Sequence, residues 1–166
     1  MTSNSSAPRL QLPMPSGSKR VFERYGPQIK LSKKGVHFRM GDFTVTLLGT
    51  GTSTPTPDRL GISTLIKAGG TSLLFDCGRA AALRLHRAEG TFTNATDLFL
   101  IHLHSDHVSG ISDLWLTGLL AANGARKQPL KLYGPHGTAE MATHLQLAFS
   151  ADVEARSVQR RIGGIE

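Results

Sequence analysis

Residues 98–107 read Leu98-Phe99-Leu100-Ile101-His102-Leu103-His104-Ser105-Asp106-His107. Four apolar residues in a row pass straight into three histidines and an aspartate, in the pattern H-x-H-x-D-H. A short apolar run followed by a turn-like segment reads as a strand buried on both faces. The histidines and the aspartate then sit at its carboxyl end, where open α/β sheets bind their ligands. Alternate residues of a strand point the same way, so His102 and His104 can offer two imidazoles to one ion. Asp106 and His107 lie where the chain leaves the strand and can turn toward a second ion. Imidazole and carboxylate suit zinc, and manganese or iron also accept them. Two ions about 3.5–4 Å apart clamp the attacking and leaving oxygens of a hydrolysis. The expected metal ligands are therefore His102, His104, Asp106 and His107. Asp106 also qualifies as the catalytic group that orients the attacking water or accepts its proton. His37, His86, His136 and His144 lack ligand-like spacing and read as ordinary surface or core residues.

Working outward, four neighbouring stretches carry a resemblance. They are Thr46–Thr52 (T-L-L-G-T-G-T), Leu74–Gly78 (L-F-D-C-G), Val108–Leu114 (V-S-G-I-S-D-L) and Leu130–Gly137 (L-K-L-Y-G-P-H-G). With the histidine motif between them, they resemble in register the metallo-β-lactamase fold superfamily, in its ribonuclease Z and arylsulfatase-like branches. The resemblance runs from about Phe43 to Arg156. It implies an α/β fold, the N-terminal half of an αββα sandwich, with a mixed sheet and covering helices. It implies a hydrolase of ester bonds carrying two zinc ions, acting on a phosphodiester or a sulfate ester. Its substrate would be a small-molecule or nucleic-acid ester, the 3′ processing of transfer RNA being the best-known case. It also implies that Gly49–Pro55 borders the active-site groove and that Asp76 supports the metal loop from beneath.

Ala151–Arg156 (A-D-V-E-A-R) resembles the segment that ends the N-terminal half of that sandwich. A third histidine for the first metal, an aspartate bridging both metals and a last histidine for the second would lie beyond Glu166. Each metal would then draw two ligands from this chain, where a catalytic zinc has three plus water. Residues 41–166 are accordingly expected to be a truncated domain, and two readings follow. One is a metallo-hydrolase that is incomplete as this chain. The other is a non-catalytic half-domain or subunit, completed by a second copy or by another chain.

The chain has 166 residues, enough for one domain with a core, and a single cysteine, which excludes an internal disulfide. No apolar run approaches the ~20 residues of a membrane span, and the first thirty residues lack a secretory apolar core. No membrane association is expected, and the location read from this is cytoplasmic. Eight basic residues up to Met40 face one acid, Glu23, and account for the whole excess of +7. The remainder is balanced, so the basic character belongs to residues 1–40. Those residues are rich in Ser, Pro, Lys and Arg, and three readings stay open for them: a disordered leader, an organelle transit peptide, or a basic arm that guides RNA.

Beyond the leader, Phe43, Val45 and Leu47 alternate with threonines as in a half-buried strand. Ile62–Lys67 and Thr71–Asp76 read as two more strands joined over Gly69-Gly70, and Leu130–Tyr133 as another. Arg79–Glu89 reads as a helix ended by Gly90. Ile111, Leu114, Trp115, Gly118, Leu119 and Ala122 form one helical stripe, and Met141, Ala142, Leu145, Ala148 and Phe149 a second.

Overall fold

The structure is a computed structural model and describes residues 28–32, 35–120 and 125–157. Seven strands form one mixed sheet in sequence order. They are β1 (Gln28–Ser32), β2 (Gly35–Met40), β3 (Phe43–Gly49), β4 (Ser63–Ala68), β5 (Thr71–Phe75), β6 (Asp97–Phe99) and β7 (Lys131–Tyr133). The first five make an antiparallel meander, and β6 and β7 join parallel to β5. Parallel neighbours need crossovers, and helices supply them. Helix α1 (Ala81–Glu89) links β5 to β6. The single turn α2 (Ser105–Val108) and α3 (Ile111–Gly118) link β6 to β7. Helices α4 (Thr138–Ala148) and α5 (Ser150–Ser157) follow. This is the mixed sheet with covering helices that the resemblance implies.

Two of these strands fall inside the stretch read as a leader. Val36 and Phe38 alternate with His37 and Arg39, and that period of two pairs β2 onto β3 with Phe38 opposite Val45. The lysines and prolines around this short pattern mask it in the sequence. Residues 1–27 lie outside the described residues, as does Ala122 of the first helical stripe.

The core lies on one face of the sheet only. Leu48, Leu65, Leu74 and Leu98 point to the helices and meet Ala82 and Leu85 of α1 and Ile111, Leu114 and Trp115 of α3. Each such side chain, fully withdrawn from water, contributes about 1.5–3 kcal/mol. The helical stripes lie largely on the core: α3 buries Ile111, Leu114, Trp115 and Gly118, and α4 packs Met141, Ala142 and Leu145 there with Phe149 just after it, whereas Ala148 is exposed.

The opposite face is apolar as well. Phe38, Val45, Ile66 and Leu73 stand in register across β2–β5. One row on, Phe75, Phe99 and Tyr133 stack across β5–β7, with ring centroids 5.1 and 4.6 Å apart. None of these residues belongs to the buried core, and Tyr133 is 43% exposed. The strand at 98–101 is thus buried on one face rather than two. Leu98 and Leu100 face the helices, Phe99 is half-buried on the other side, and Ile101 is exposed.

Candidate metal centre

The histidine motif begins where β6 stops. Backbone pairing continues for one residue, from Leu100 N–H to the Tyr133 carbonyl at 2.7 Å. The next amide, that of Ile101, donates instead to the Asp76 carboxylate, Oδ1, at 2.9 Å. This ends the strand, so His102 and His104 do not sit on regular β-structure as the spacing suggests. Their rings still meet, with His102 Nε2 3.0 Å from His104 Nδ1. His102 also lies against His107, with ring centroids 3.9 Å apart. Asp106 and His107 are carried by α2 and are both buried. His107 Nε2 is 3.8 Å from Asp106 Oδ2, and its Nδ1 is 2.8 Å from Asp76 Oδ2. That last contact is close but poorly aligned for a hydrogen bond.

All four residues singled out in the sequence therefore gather in one cluster, with Asp76 behind them. Among the described residues, no group of three or more His, Cys, Asp or Glu side chains is arranged to hold a metal ion. The contact between His102 and His104 explains part of this: each ring has a nitrogen turned to the other rather than to a common centre. As a donor set the cluster nevertheless fits a borderline cation, since it offers three imidazoles and a carboxylate from one short loop.

The loop is held by close backbone packing. Cys77 N–H donates to the His107 carbonyl at 2.7 Å, Gly110 N–H to the Cys77 carbonyl at 2.8 Å, and Gly78 N–H to the Ile62 carbonyl at 2.9 Å. A Cβ on Gly78 would collide with the Asp106 carbonyl oxygen, and one on Gly61 with the Arg79 amide. Asp76 and Ala80, on either side of this turn, both adopt the left-handed region, at φ 57° and 63°. Such strain in non-glycine residues collects at functional loops, where the surroundings enforce it. Arg79 was not anticipated. Its Nη2 donates to the Ser53 carbonyl at 3.0 Å and ties the glycine loop to the rim of the cluster. Nothing in its sequence context distinguishes it from any surface arginine.

Two of the other histidines have partners of their own elsewhere: His37 Nδ1 is 2.9 Å from Thr46 Oγ1, and His86 stacks on Phe92. A groove of about 980 Å³ lies on the helix side of β2–β4, lined by His37, Arg39, Thr44, Lys67 and Glu89. Its Lys67 and Glu89 neutralise one another at 2.7 Å, and it does not touch the cluster. No helix of the described residues is long and apolar enough to cross a membrane.

Several known proteins are similar to this chain over its folded part. The chain is 43% identical over 112 residues to a ribonuclease Z of Mycobacterium sp. (strain KMS), and 43% identical over 115 residues to that of Mycobacterium marinum. Each match covers 68% of this chain, and the chain spans about 39–40% of the length of these relatives. Among solved structures, human tRNase Z, short form, superposes with a TM-score of 0.55 at 31% identity, over 64% of this chain and 39% of that one. The metallo-β-lactamase fold protein YhfI of Bacillus subtilis gives 0.53 at 26% identity, over 60% and 41%. The sheet with its helices is thus the N-terminal part of a metallo-β-lactamase fold. Residues 43–153 match the sequence model of the family described as anti-Pycsar protein Apyc1, and the chain belongs to that family.

Proposed function

We propose that this chain provides the histidine-rich half of the active site of a metal-dependent phosphodiester hydrolase. The observation that carries the reading is the contact cluster of His102, His104, Asp106 and His107, backed by Asp76. The ribonuclease Z relatives support a phosphodiester substrate, a nucleic acid or a smaller ester of the same chemistry. The proposed metal is zinc, held by these four residues, with two ions when the site is complete. When bound, it would supply Lewis acidity to the phosphoryl oxygen and an acidified water.

The protein's own groups have separable tasks. Asp76 Oδ2 favours a proton on Nδ1 of His107, which leaves Nε2 as a lone-pair donor on the side of Asp106. The Asp106 carboxylate, buried and near that nitrogen, is the group that would orient a water or take its proton. His102 and His104, less buried, form the mouth of the cluster. The cytoplasm, where nucleic-acid esters are processed, is the proposed location.

A second reading is favoured by the absence of a converged donor triad among the described residues. In it the chain is a non-catalytic half-domain or subunit, and a partner completes the metal site. Zinc titration into the metal-free chain, followed by calorimetry, tests the shared core of both readings. Saturable binding is expected, weakened about 10-fold or more by His102→Ala or His104→Ala. Failure of the chain to bind zinc would overturn the first reading and leave the second only if a partner restored binding. Hydrolysis of bis(p-nitrophenyl) phosphate then separates them: turnover lost in His104→Ala identifies a hydrolase, and binding without turnover identifies the half-domain.

A further inference from the structure

One end of the sheet gathers the loops that carry its polar chemistry. Gly49 pairs with Ser63, Thr64 with Phe75, Phe75 with Phe99 and Phe99 with Tyr133, so these positions lie together at one end of β3–β7. The glycine loop (50–62), the turn after β5 (76–80) and the histidine loop (100–107) all leave the sheet there. Arg79 stands where the three meet. Its carbonyl accepts the Gly61 amide at 3.2 Å, and the residue before it, Gly78, lies against the Asp106 carbonyl. Its guanidinium reaches the glycine loop at the Ser53 carbonyl, 3.0 Å from Nη2. The side chain is half-buried and makes no ion pair among the described residues. The two carboxylates of the cluster, Asp76 and Asp106, are turned to His107 instead.

We propose that Arg79 is a substrate-binding residue, donating to the non-bridging oxygens of a phosphodiester seated at the mouth of the histidine cluster. Those two oxygens share the single negative charge of the diester, and one edge of a guanidinium matches them with two parallel N–H donors. An arginine that spends one N–H on a carbonyl and none on an acid keeps its whole charge for such a ligand. The donors on Nε and Nη1 have no partner among the described residues. The Ser53 anchor also holds the long side chain in place, so less rotamer freedom is lost when the ligand arrives. The backbone on either side is equally fixed, by the Gly61 amide and by the tight turn at Gly78, which keeps the charge at a set position relative to Asp106. The class of ligand rests on the phosphodiester reading of the cluster, whereas the anion site rests on the surroundings of Arg79 alone.

The test titrates dimethyl phosphate into the full 166-residue chain, isotope-labelled and metal-free, and follows binding by NMR. Saturable binding is expected to shift the amides of Ser53 and Arg79 and the Arg79 Nε–H, and to weaken about tenfold or more in Arg79→Gln. Arg39→Gln, at the opposite end of the sheet, should leave it unchanged. Trimethyl phosphate, the neutral ester, should not bind. The shifts in the wild type decide the matter by themselves if Arg79→Gln does not fold. No binding by the wild type, equal binding of the neutral ester, shifts that bypass Ser53 and Arg79, or equal losses in Arg79→Gln and Arg39→Gln would each overturn the proposal. Zinc titration of the same sample keeps the two assignments apart. Zinc binding without diester binding at Arg79 would strike the anion site and leave the metal centre, and the reverse result would strike the metal centre and leave the anion site.

Discussion

At the scale of single residues, two buried groups show opposite degrees of legibility. Cys77, a lone cysteine beside an apolar strand, reads as a buried and inert thiol, and it is fully buried. Burial raises its pKa well above the ordinary thiol range, and the charge of Asp113 adds to this while Arg126 opposes it. The folded chain therefore keeps the thiol proton at a pH where the unfolded chain has released it. Stability from this group is complete at neutral pH and falls as pH climbs past about 9. Iodoacetamide should leave the native protein unmodified at pH 8.5 and label one thiol per chain in guanidinium. Labelling of the native form at the rate of a free thiol would contradict this. Arg126 gave no such signal. In Ala125-Arg126-Lys127 it looks like one of two solvated cations, yet it is 2% exposed beneath α3. Its Nη2 donates to the Phe92 and Leu114 carbonyls, and burial pulls its pKa down to about 10. A Cβ at Gly118 would press into the guanidinium, so the space that admits it depends on a residue eight positions away. Sequence proximity carries no trace of that pairing.

At the scale of elements, the sequence marks where turns occur but not how tightly they press together. Gly90 and Gly78 look alike as punctuation, one after a helix and one after a strand. Gly90 caps α1 at φ 75°, its N–H bonding to the His86 carbonyl, with open space around its missing side chain. Gly90→Ala should cost only the strain of a left-handed alanine, about 1 kcal/mol. Gly78 sits where the turn after β5, the Ile62 backbone and the α2 loop touch. The atoms a Cβ would strike there are backbone and cannot rotate aside. Gly78→Ala should therefore cost about 3 kcal/mol or more, and should weaken zinc binding by shifting Asp106. Guanidinium denaturation of both variants checks the ranking, and equal losses would refute the packing argument. The early end of β6 has a similar origin. The apolar run invited a strand through Ile101, but the Asp76 carboxylate takes the Ile101 amide and bends the chain. Twenty-five residues separate the two, so only the resemblance hinted at a supporting role for Asp76.

At the scale of the whole molecule, alternation and helical stripes located the core and the order of layers. They could not rank the two faces of the sheet, because both are apolar. Leu65 and Leu74 are fully buried, whereas Ile66 and Leu73, their neighbours on the other side, are not. Hydrophobicity alone therefore records that a face is to be covered and leaves the cover unspecified. Phe99 is the middle ring of the ladder on that second face, stacked between Phe75 and Tyr133. Each such pair contributes about 0.5–1.5 kcal/mol beyond the area it buries, so Phe99→Ala should cost about 2 kcal/mol. Calorimetry on the two proteins checks this. An unchanged Tm would mean that the aromatic ladder adds nothing to the stability of the sheet.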